Sequence, residues 1–421
     1  MAQQRWHRRM AGLLKSRLPD AGLHRVADPR QRRGRWRLGA MLGGIVIGML
    51  SGAKRLADVE ARSREMSTSM RRLLGLRGRL PDTTLRDLLI KLDPAQLRLA
   101  VHRQVRVAHR RHALEPDQGL PWGVLSLDGK MTAIRAWDDR FAQRQKDKGL
   151  VRTITATLVS SAARVCVDAF PIPPQTNEMG AYVAAVADLV RAYESIDLFR
   201  VVMYDAGACS EANARATRGM GLHYVMVLND AQPTLHREAR RMLDAAGDQP
   251  SVFDEVEQGI RYSVELTSEM AGYLDWQHLR TVVRIRREVL DTRGQVLSAG
   301  ARVFVSSLRC DALSPRQWLR LTRARWGVEN NCHHTFDTAP AEDARPWIVT
   351  DPVGALNVIL LRRIAYNLMT LLRSRTLRGE LSRLSPWKDL IRHVYNALVA
   401  ATDRTVADIR PRDPPPLTLA P

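Results

Sequence analysis

The sequence predicts an α/β protein built on a mixed β-sheet, with a basic, mainly helical region before the sheet and further helices after it. Three observations support this fold class. Helical patterns dominate much of residues 1–113, short β-branched runs begin at Val124, and helix and strand patterns then alternate along the chain. A β-rich insertion at about residues 233–306 interrupts the alternation.

The region before the sheet contains one uncharged stretch, Leu38–Ala53, with glycines that recur every four residues. It is shorter than the ~20 residues that a membrane-spanning helix needs. We therefore predict a buried helix, with a membrane segment as the alternative. Residues 1–37 are basic and weakly patterned, whereas Leu56–Leu76 and Leu85–Val107 have helical periodicity, and Asp82 to Thr84 is predicted to cap the second of these helices.

The predicted catalytic domain covers residues 120–408 and contains every predicted strand. Strands are expected at residues 124–128, 151–159, 163–169, 200–204 and 224–228, and in the insertion at 262–266, 281–285 and 302–306. Helices are expected at Glu178–Tyr193, Glu211–Met220, Pro315–Phe336, Ala355–Arg375 and Trp387–Ala401. The proline-rich tail, residues 409–421, is predicted to be disordered.

The charge of the chain indicates a polyanionic partner. The net charge is +21 over 421 residues, and residues 1–120 hold 26 Lys and Arg against 10 Asp and Glu. Because most of the excess lies in this quarter, it is the predicted phosphate-contacting region. An arginine-rich proteome is the alternative explanation, but it would raise basic content throughout the chain.

The cysteines indicate a reducing compartment. Cys166, Cys209, Cys310 and Cys332 are scattered without CxxC pairs, and no apolar signal segment follows the arginine-rich start. We therefore expect a cytoplasmic protein without a disulfide framework.

Two aspartates that follow apolar strands and one glutamate in a helical pattern form a candidate metal site. Asp128 and Asp205 are each followed by small residues that leave room for a phosphate backbone, and Glu329 lies in the run Arg325-Trp-Gly-Val-Glu329. If the strands are neighbours, the carboxylates converge at one edge of the sheet. Three such carboxylates suit Mg²⁺, and a pair of metal ions can activate a nucleophile for in-line displacement at a phosphate.

Each candidate also has a structural interpretation. An aspartate at the end of a strand is commonly a turn or cap residue, and Arg325 is placed to pair with Glu329 on a helix surface. Cys332, His333 and His334 suggest zinc, but adjacent histidines on a helix point about 100° apart and seldom bind one ion. The ordered set of all three carboxylates favours the metal site.

These residues belong to a longer series of motifs that resembles the DDE-type transposases of bacterial insertion sequences, in the branch of the H-repeat-associated proteins. The motifs occur in order over about 340 residues. They are Asp28-Pro-Arg30, Leu50-Ser-Gly-Ala53, Leu127-Asp-Gly-Lys130, Thr176-Asn-Glu178, Tyr204-Asp-Ala206, Gly221-Leu-His-Tyr-Val225, Ser306-Ser-Leu308, Arg325-Trp326, Glu329-Asn330, His333, Asp337, Glu342-Asp343, Ala355-Leu-Asn-Val358 and Arg362-Arg-Ile-Ala-Tyr-Asn367.

The resemblance implies an RNase H-like core that binds Mg²⁺ or Mn²⁺ through Asp128, Asp205 and Glu329 as the catalytic carboxylates. It also implies metal-dependent cleavage of DNA at insertion-sequence ends and strand transfer into target DNA, in a homodimeric synaptic complex without a membrane partner. Double-stranded DNA, as terminal inverted repeats and as target, is the implied partner. Its predicted contacts are Arg325, Lys130, Arg32, Arg33, Arg35 and Arg37.

Two departures from the family pattern are visible. Thr322 and Phe336 stand where other DDE transposases have tyrosine and lysine, a difference that the H-repeat branch shares. In Leu228-Asn-Asp-Ala-Gln232, this chain lacks the lysine and asparagine that the branch has around a glycine. The second departure removes a phosphate contact but leaves the three carboxylates intact. Two alternatives therefore remain: a decayed or domesticated DNA-binding protein without activity, and a metal-dependent nuclease without strand transfer.

Overall fold

A computed structural model of the chain describes residues 2–31, 35–117, 119–245, 253–339, 341–377 and 385–407. The side chains of residues 2–5, 330 and 331 are outside this description. So are Arg32 and Arg33, two of the predicted DNA contacts, and the tail at 409–421 that is predicted to be disordered. The described chain has a ten-stranded mixed sheet with helices before, between and after its strands, which confirms the mixed α/β class.

The region before the sheet is helical. Its helices are Ala2–Ser16 (α1), Leu38–Leu50 (α2), Leu56–Glu65 (α3), Thr68–Leu73 (α4), Asp82–Lys91 (α5) and Pro94–Arg110 (α6). The sequence pattern missed α1 and joined α5 to α6. The structure separates them because the chain turns at Asp93, whose side chain accepts a hydrogen bond from Ala95 N and caps α6. The predicted cap at Asp82 was wrong, since Asp82 is the first helical residue of α5.

The strands that come first in the sequence lie at one side of the sheet, and those of the insertion lie at the other. The strands are Val124–Ile134 (β1), Ala142–Gln145 (β2), Lys148–Leu158 (β3), Cys166–Pro171 (β4), Val201–Tyr204 (β5), His223–Leu228 (β6), Phe253–Glu257 (β7), Ile260–Thr267 (β8), Thr281–Leu290 (β9) and Val296–Ser306 (β10). Their order is β2-β3-β1-β5-β6-β10-β9-β8-β7, with β4 also on β3. β1 pairs antiparallel with β3 and parallel with β5, and β5 pairs parallel with β6.

The insertion extends the sheet. β10 pairs antiparallel with β6, and β9, β8 and β7 follow outward. The segment predicted as β-rich from about residue 233 opens with a helix, Pro233–Ala245 (α9), and only its later part is strand. The two helices between the earlier strands, Glu178–Tyr193 (α7) and Glu211–Gly219 (α8), lie where the periodicity predicts them.

The chain after the sheet is helical with two π-helical segments. Its helices are Pro315–Ala324 (α10), His334–Thr338 (α11), Pro352–Leu371 (α12), Trp387–Ala400 (α13) and Asp403–Ala407 (α14), and the π-helical segments are Val328–His333 and Leu372–Thr376. The predicted helix at residues 315–336 is thus three pieces. The turn at Arg325 and Trp326 and the π-helical widening interrupt it.

Helix α12 lies at the centre of the largest hydrophobic core. With the π-helical segment that follows, it is long and apolar enough to span a membrane by composition alone, but it is fully buried inside the protein. The core around it includes residues from all six N-terminal helices and from α13. Leu38–Leu50, the apolar stretch predicted to be a buried helix, packs in this core.

A buried ion-pair network joins the N-terminal helices to the sheet. Arg98 on α6 donates to Asp168 Oδ1 on β4 at 3.0 Å and to Asp188 Oδ2 on α7 at 3.1 Å. The side chain of Asp168 is 1% exposed. Although burial alone would raise the pKa of Asp168, the charges of Arg98 and His102 hold that pKa below its ordinary value. The network therefore keeps an ionised carboxylate in the interior.

We expect Arg98→Ala to destabilise the protein strongly, because it leaves the buried Asp168 carboxylate without its main partner. Removing one side of a buried ion pair costs about 3–5 kcal/mol. Urea unfolding at neutral pH measures the loss. As a control, Arg55→Ala removes an arginine whose side chain is 76% exposed in its pair with Asp58, and about 1 kcal/mol or less is expected. Equal losses in both variants would contradict the role assigned to Arg98.

Asp20 is expected to make stability depend on pH. Burial raises its pKa from 3.8 to about 6, against the opposing charges of Arg111 and Arg17. Because the folded pKa lies above the unfolded one, this group favours folding below about pH 4 and loses that contribution as the pH rises to about 6. The asparagine of Asp20→Asn does not titrate. The free energy of unfolding of this variant, relative to that of the wild type, should therefore be roughly 2–3 kcal/mol higher at pH 7 than at pH 4. A difference that stays constant with pH would contradict this assignment.

Candidate active site

The two candidate aspartates lie side by side on neighbouring parallel strands. Ser126 on β1 is the register partner of Met203 on β5, so the same register brings Asp128 level with Asp205. Residues two apart share a face of a sheet, which places both aspartates on one face. Asp205 follows the last residue of β5, and its Oδ1 accepts a hydrogen bond from Gly207 N at 2.9 Å.

The sequence pattern predicted Asp128 at the end of a strand, but the structure places it within β1. β1 continues to Ile134, and Asp128 pairs with Thr155 of β3 in the middle of the ladder. The apolar run stops at Asp128, but the residues after it alternate between buried and exposed positions in the β1–β3 pairing. Asp128 therefore lies where β5 ends and β1 goes on, at a step in the edge of the sheet.

The segment after α10 runs along β1 on the face that carries the aspartates. Ser126 Oγ donates to the backbone oxygen of Arg325 at 2.8 Å, and His333 Nδ1 lies 3.1 Å from Asp128 Oδ2. Glu329 lies between these two contacts, four residues from each. Its Oε1 accepts a hydrogen bond from Arg325 Nη2 at 2.9 Å. Glu329 is thus held along the same face, with its carboxylate on Arg325.

Arg325 is the cation of this site. Its residue is 4% exposed, and its Nε and Nη1 have no hydrogen-bond partner among the residues that the structure describes. Burial raises the pKa of Asp205 and the charge of Asp128 raises it further, while the Gly207 amide and the charge of Arg325 lower it. Arg325 thus places a buried positive charge beside Asp205, with N–H groups that have no acceptor among the described residues.

A third carboxylate, Glu178, reaches the aspartates from the opposite side of the sheet. It is the first residue of α7, where Asn177 caps the helix by accepting from Gly180 N at 2.9 Å. A side chain at Gly129, next to Asp128, would overlap the Glu178 carboxylate. Burial raises the pKa of Glu178, and the charges of Asp205 and Asp128 raise it further. Gly129 thus makes room for a third acid beside the pair.

The sequence analysis did not include Glu178 among the site residues. The motif Thr176-Asn-Glu178 was part of the resemblance, but a glutamate after an asparagine cap is common in first turns, where it favours the helix dipole. Its proximity to Asp128 depends on how α7 packs over β1. The signal that could have found it is Gly129, because a glycine beside a catalytic candidate indicates a close neighbour.

Lys130 lies deep in the structure, although it was predicted to contact DNA. Its side chain is 7% exposed, and its Nζ lies 2.7 Å from Asp337 Oδ1 and 3.1 Å from Asp343 Oδ2. The two carboxylates form ion pairs with this ammonium group, and these pairs connect β1 to α11 and to the loop that follows. A DNA contact of Lys130 stays a prediction. The observed ion pairs indicate that Lys130 positions α11 and the loop that follows it against β1.

Two of the N-terminal arginines predicted to contact DNA, Arg35 and Arg37, are among the described residues. Arg35 and Arg37 are exposed, on the approach to α2, and Arg35 stacks on Trp36 at 4.9 Å from the ring centre. Both are available to an external anion. Among the described residues, no hydrogen bond or ion pair joins them to Asp128 or Asp205.

A cleft of about 640 Å³ opens beside Asp205. It extends from Asp205 and Arg325 past the end of β6 and residues 301–303 within β10 to α9. Asn229, one of the departures from the family pattern, lies in its wall. The basic residues of the wall are His236, Arg240, Arg284, Arg302 and Arg325, and the acidic ones are Asp205, Asp230 and Asp244. The wall thus carries four arginines against three aspartates, and one of the arginines, Arg284, already pairs with Asp244 and Glu265. The cleft leads to the carboxylate pair.

The donor chemistry of the site fits a hard divalent cation. Mg²⁺ in proteins is commonly held by one or two carboxylates together with water and substrate phosphate, and Asp128 and Asp205 supply such a pair. Within the described part of the chain, no three His, Cys, Asp or Glu side chains are gathered closely enough to hold a metal ion, so Glu329 is not grouped with Asp128 and Asp205 and its role as a third ligand stays a prediction. The zinc alternative finds no support in this geometry, because Cys332 is fully buried while His334 is exposed.

Comparison with known proteins adds a distant structural similarity. The sequence matches no protein-family model and no curated protein. Among solved structures, the chain is similar to a piggyBac transposase, seen by cryo-EM in a synaptic complex with hairpin DNA. The match covers 97% of this chain and 84% of that one, at 13% identity and a TM-score of 0.43. We take no residue correspondence from this pair.

We expect Glu178→Gln to raise the melting temperature at pH 7 in the presence of EDTA. The raised pKa of Glu178 means that its ionised form opposes folding, and the neutral amide removes the repulsion by Asp128 and Asp205. Below the unfolded pKa of about 4.3 the wild-type side chain is protonated, so the advantage should vanish there. Calorimetric scans at both pH values measure it. Glu65→Gln, at a side chain 42% exposed in a pair with Arg62, is the control, and a lower melting temperature for Glu178→Gln at pH 7 would refute the assigned repulsion.

Proposed function

We propose that this protein is a DDE-type transposase that uses Mg²⁺ or Mn²⁺ to cleave DNA at the ends of a mobile element and to join them to target DNA. One observation supports this most directly: Asp128 and Asp205 lie side by side on parallel strands, beneath the segment that carries Glu329 and beside a cleft whose wall carries four arginines. Paired carboxylates with adjacent cations suit phosphoryl transfer, which needs bound metal and a held phosphate backbone.

The topology of the sheet supports an RNase H-like core, as the sequence resemblance implies. Three antiparallel strands, β4, β3 and β1, are followed across the sheet by the parallel strands β5 and β6. In an arrangement with parallel neighbours, residues at the carboxyl ends of the strands meet at one edge. Both aspartates are at that edge, where β5 ends.

In the proposed site, Asp128 and Asp205 would hold the metal, with Glu329 as the third carboxylate. A bound divalent cation would lower the pKa of an attacking water or hydroxyl and stabilise the leaving oxygen. His333 orients Asp128 through its 3.1 Å contact, and Arg325 holds Glu329 and places positive charge at the wall of the cleft where a phosphate would lie. Glu178 adds negative charge to the same site from the other side of the sheet.

The rest of the basic surface is proposed to bind double-stranded DNA, as terminal inverted repeats and as target. The cleft beside Asp205 would hold the backbone near the reacting phosphate. Arg35 and Arg37 are the exposed members of the predicted N-terminal contact set. A homodimer that brings two ends together, in a bacterial cytoplasm, completes the proposal by family resemblance.

We expect Asp205→Asn to abolish metal-dependent cleavage and joining while leaving duplex binding within about threefold. Removing a proposed metal ligand should lower the rate by roughly 10³-fold or more, whereas affinity depends on phosphate contacts elsewhere. A labelled duplex that carries the element's end, with Mg²⁺ and a second acceptor duplex, measures both. Persistent cleavage by this variant would refute the site.

Asp254→Asn is the matched control, because it removes the same charge from an exposed position on β7, and it should cleave like the wild type. The experiment also separates the alternatives. Cleavage without joining would identify a nuclease, and binding without cleavage in the wild type would identify a DNA-binding protein that has lost its activity.

A further inference from the structure

A second depression, lined by arginines, lies on the N-terminal helices, and none of the residues named so far as DNA contacts lines it. We name it the arginine groove. Its volume is about 510 Å³, and it lies between α6, the turns that follow α1, and the residues after α7. Its lining residues with charged side chains are Asp20, Arg25, Arg103, Arg106 and Arg110.

The positive charge of the arginine groove is not balanced within it. Asp20 is its one acidic lining residue among those described, and its carboxylate already lies 2.6 Å from Arg111 Nη1 and 3.9 Å from Arg17 Nη1. Four arginines therefore face the groove against one acid that pairs with cations outside the lining set. Like charges held this close oppose each other unless an anion lies between them.

Guanidinium groups in the groove also have unused hydrogen-bond donors. Arg103 Nη1 and Arg110 Nε are buried without a hydrogen-bond partner in the part of the chain that the structure describes. Gly22, at a φ of +62°, allows the Arg103 side chain to cross the turn, because a Cβ there would lie 3.2 Å from Arg103 Cδ. Burial lowers the pKa of Arg103, and the charges of Arg25 and Arg106 lower it further. The unbalanced positive charge of the groove points to an anionic ligand.

The spacing of the arginines on α6 matches a nucleic-acid backbone. Arg103, Arg106 and Arg110 are three and four residues apart, so they share one face of the helix. At about 1.5 Å per residue, they span roughly 10 Å. One strand of a duplex presents a phosphate every ~3.4 Å along its axis. The row therefore extends over about three phosphates.

We propose that the arginine groove binds the sugar-phosphate backbone of double-stranded DNA without reading its sequence. This inference rests on the proposed function and adds a specific docking site at a distance in sequence from Arg32 to Arg37. Among the described lining residues there is no Phe, Tyr or Trp, so the groove lacks the stacking platforms that single-stranded nucleic acids use. Arginine is suited to this task because its fork of donors matches phosphate oxygens.

The test measures how duplex affinity depends on salt. The full-length protein and Arg103→Gln/Arg106→Gln are titrated into a fluorescein-labelled duplex of unrelated sequence, at several NaCl concentrations, by anisotropy. Each lost phosphate contact should lower the slope of log K against log salt by about one unit. We expect a loss of about two units in slope and roughly 10- to 100-fold in affinity near 0.1 M salt.

Two matched variants separate a specific groove from bulk charge. Arg309→Gln/Arg392→Gln removes the same net charge from side chains that are 77% and 65% exposed in ion pairs elsewhere, and its slope should stay that of the wild type. Arg103→Lys/Arg106→Lys keeps the charge and should restore most of the slope, which a merely structural role would not do. Circular dichroism and melting temperature verify that each variant is folded.

Three results would overturn the proposal. They are equal losses in the groove and control variants, an unchanged slope in the groove variant, and saturable micromolar binding of inorganic pyrophosphate that is lost in the groove variant, which would identify a small phosphorylated ligand. Because the assay needs no cleavage, it is independent of the carboxylate site. Salt-dependent groove binding without any cleavage would count against the transposase and leave the groove intact.

Discussion

The structure depends on the burial of one helix, α12, several of whose polar side chains bond to the elements around it. Asn357 donates to the last carbonyls of α5, at Leu89 and Leu92, at 2.8 and 2.7 Å. Asn367 exchanges two hydrogen bonds with the backbone of Cys166 on β4, each 2.8 Å long. A buried polar group is costly unless it is bonded, so these contacts specify how the N-terminal helices, α12 and the sheet meet. Few other arrangements would satisfy them together.

The same helix reaches the carboxylate site through buried charges. Arg363, fully buried, donates to both oxygens of Glu342, at 2.9 and 2.6 Å. The next residue, Asp343, shares Lys130 with Asp337, and Lys130 is two residues from Asp128 on β1. Replacing one member of such a network leaves an unpaired charge in a low-dielectric interior. The position of the segment that bears Glu329 is thus coupled to the central core and not to local helix propensity alone.

Negative and positive charges are separated in the fold in a way that suits a polyanionic substrate. Asp128 and Asp205 lie side by side at the step where β5 ends, and Glu178 approaches them from the other face of the sheet. Burial with mutual repulsion raises the pKa values of Asp205 and Glu178. Arg325 stands against them with donors to spare. The arginine groove on α6 has the opposite imbalance. A divalent cation would relieve the first accumulation of charge and a phosphate backbone the second, which is how both features agree with the proposed function.

Much of the architecture was predictable because periodicity records which residues a helix or strand buries. The strand before Asp205 and the helices at Glu178–Tyr193 and Glu211–Gly219 were predicted close to their observed bounds. Boundaries that depend on partners were not. β1 continues beyond Asp128 because β3 pairs with it, and the predicted helix around Glu329 is partly π-helical. The amphipathic start of the chain, α1, was missed because its pattern is weak without the helices that cover it.

The sequence by itself determined the α/β class, the order of the elements and the choice of Asp128, Asp205 and Glu329 as candidates, since hydrophobic period and residue type are local properties. Only the tertiary structure decided the rest. It placed Glu178 beside the aspartates and buried Lys130 between two carboxylates. It also packed the turns that follow α1, with Arg25, against three arginines of α6 to form a groove. These outcomes depend on which faces meet across the sheet and the helices, and long-range packing is not encoded in the spacing of neighbouring residues.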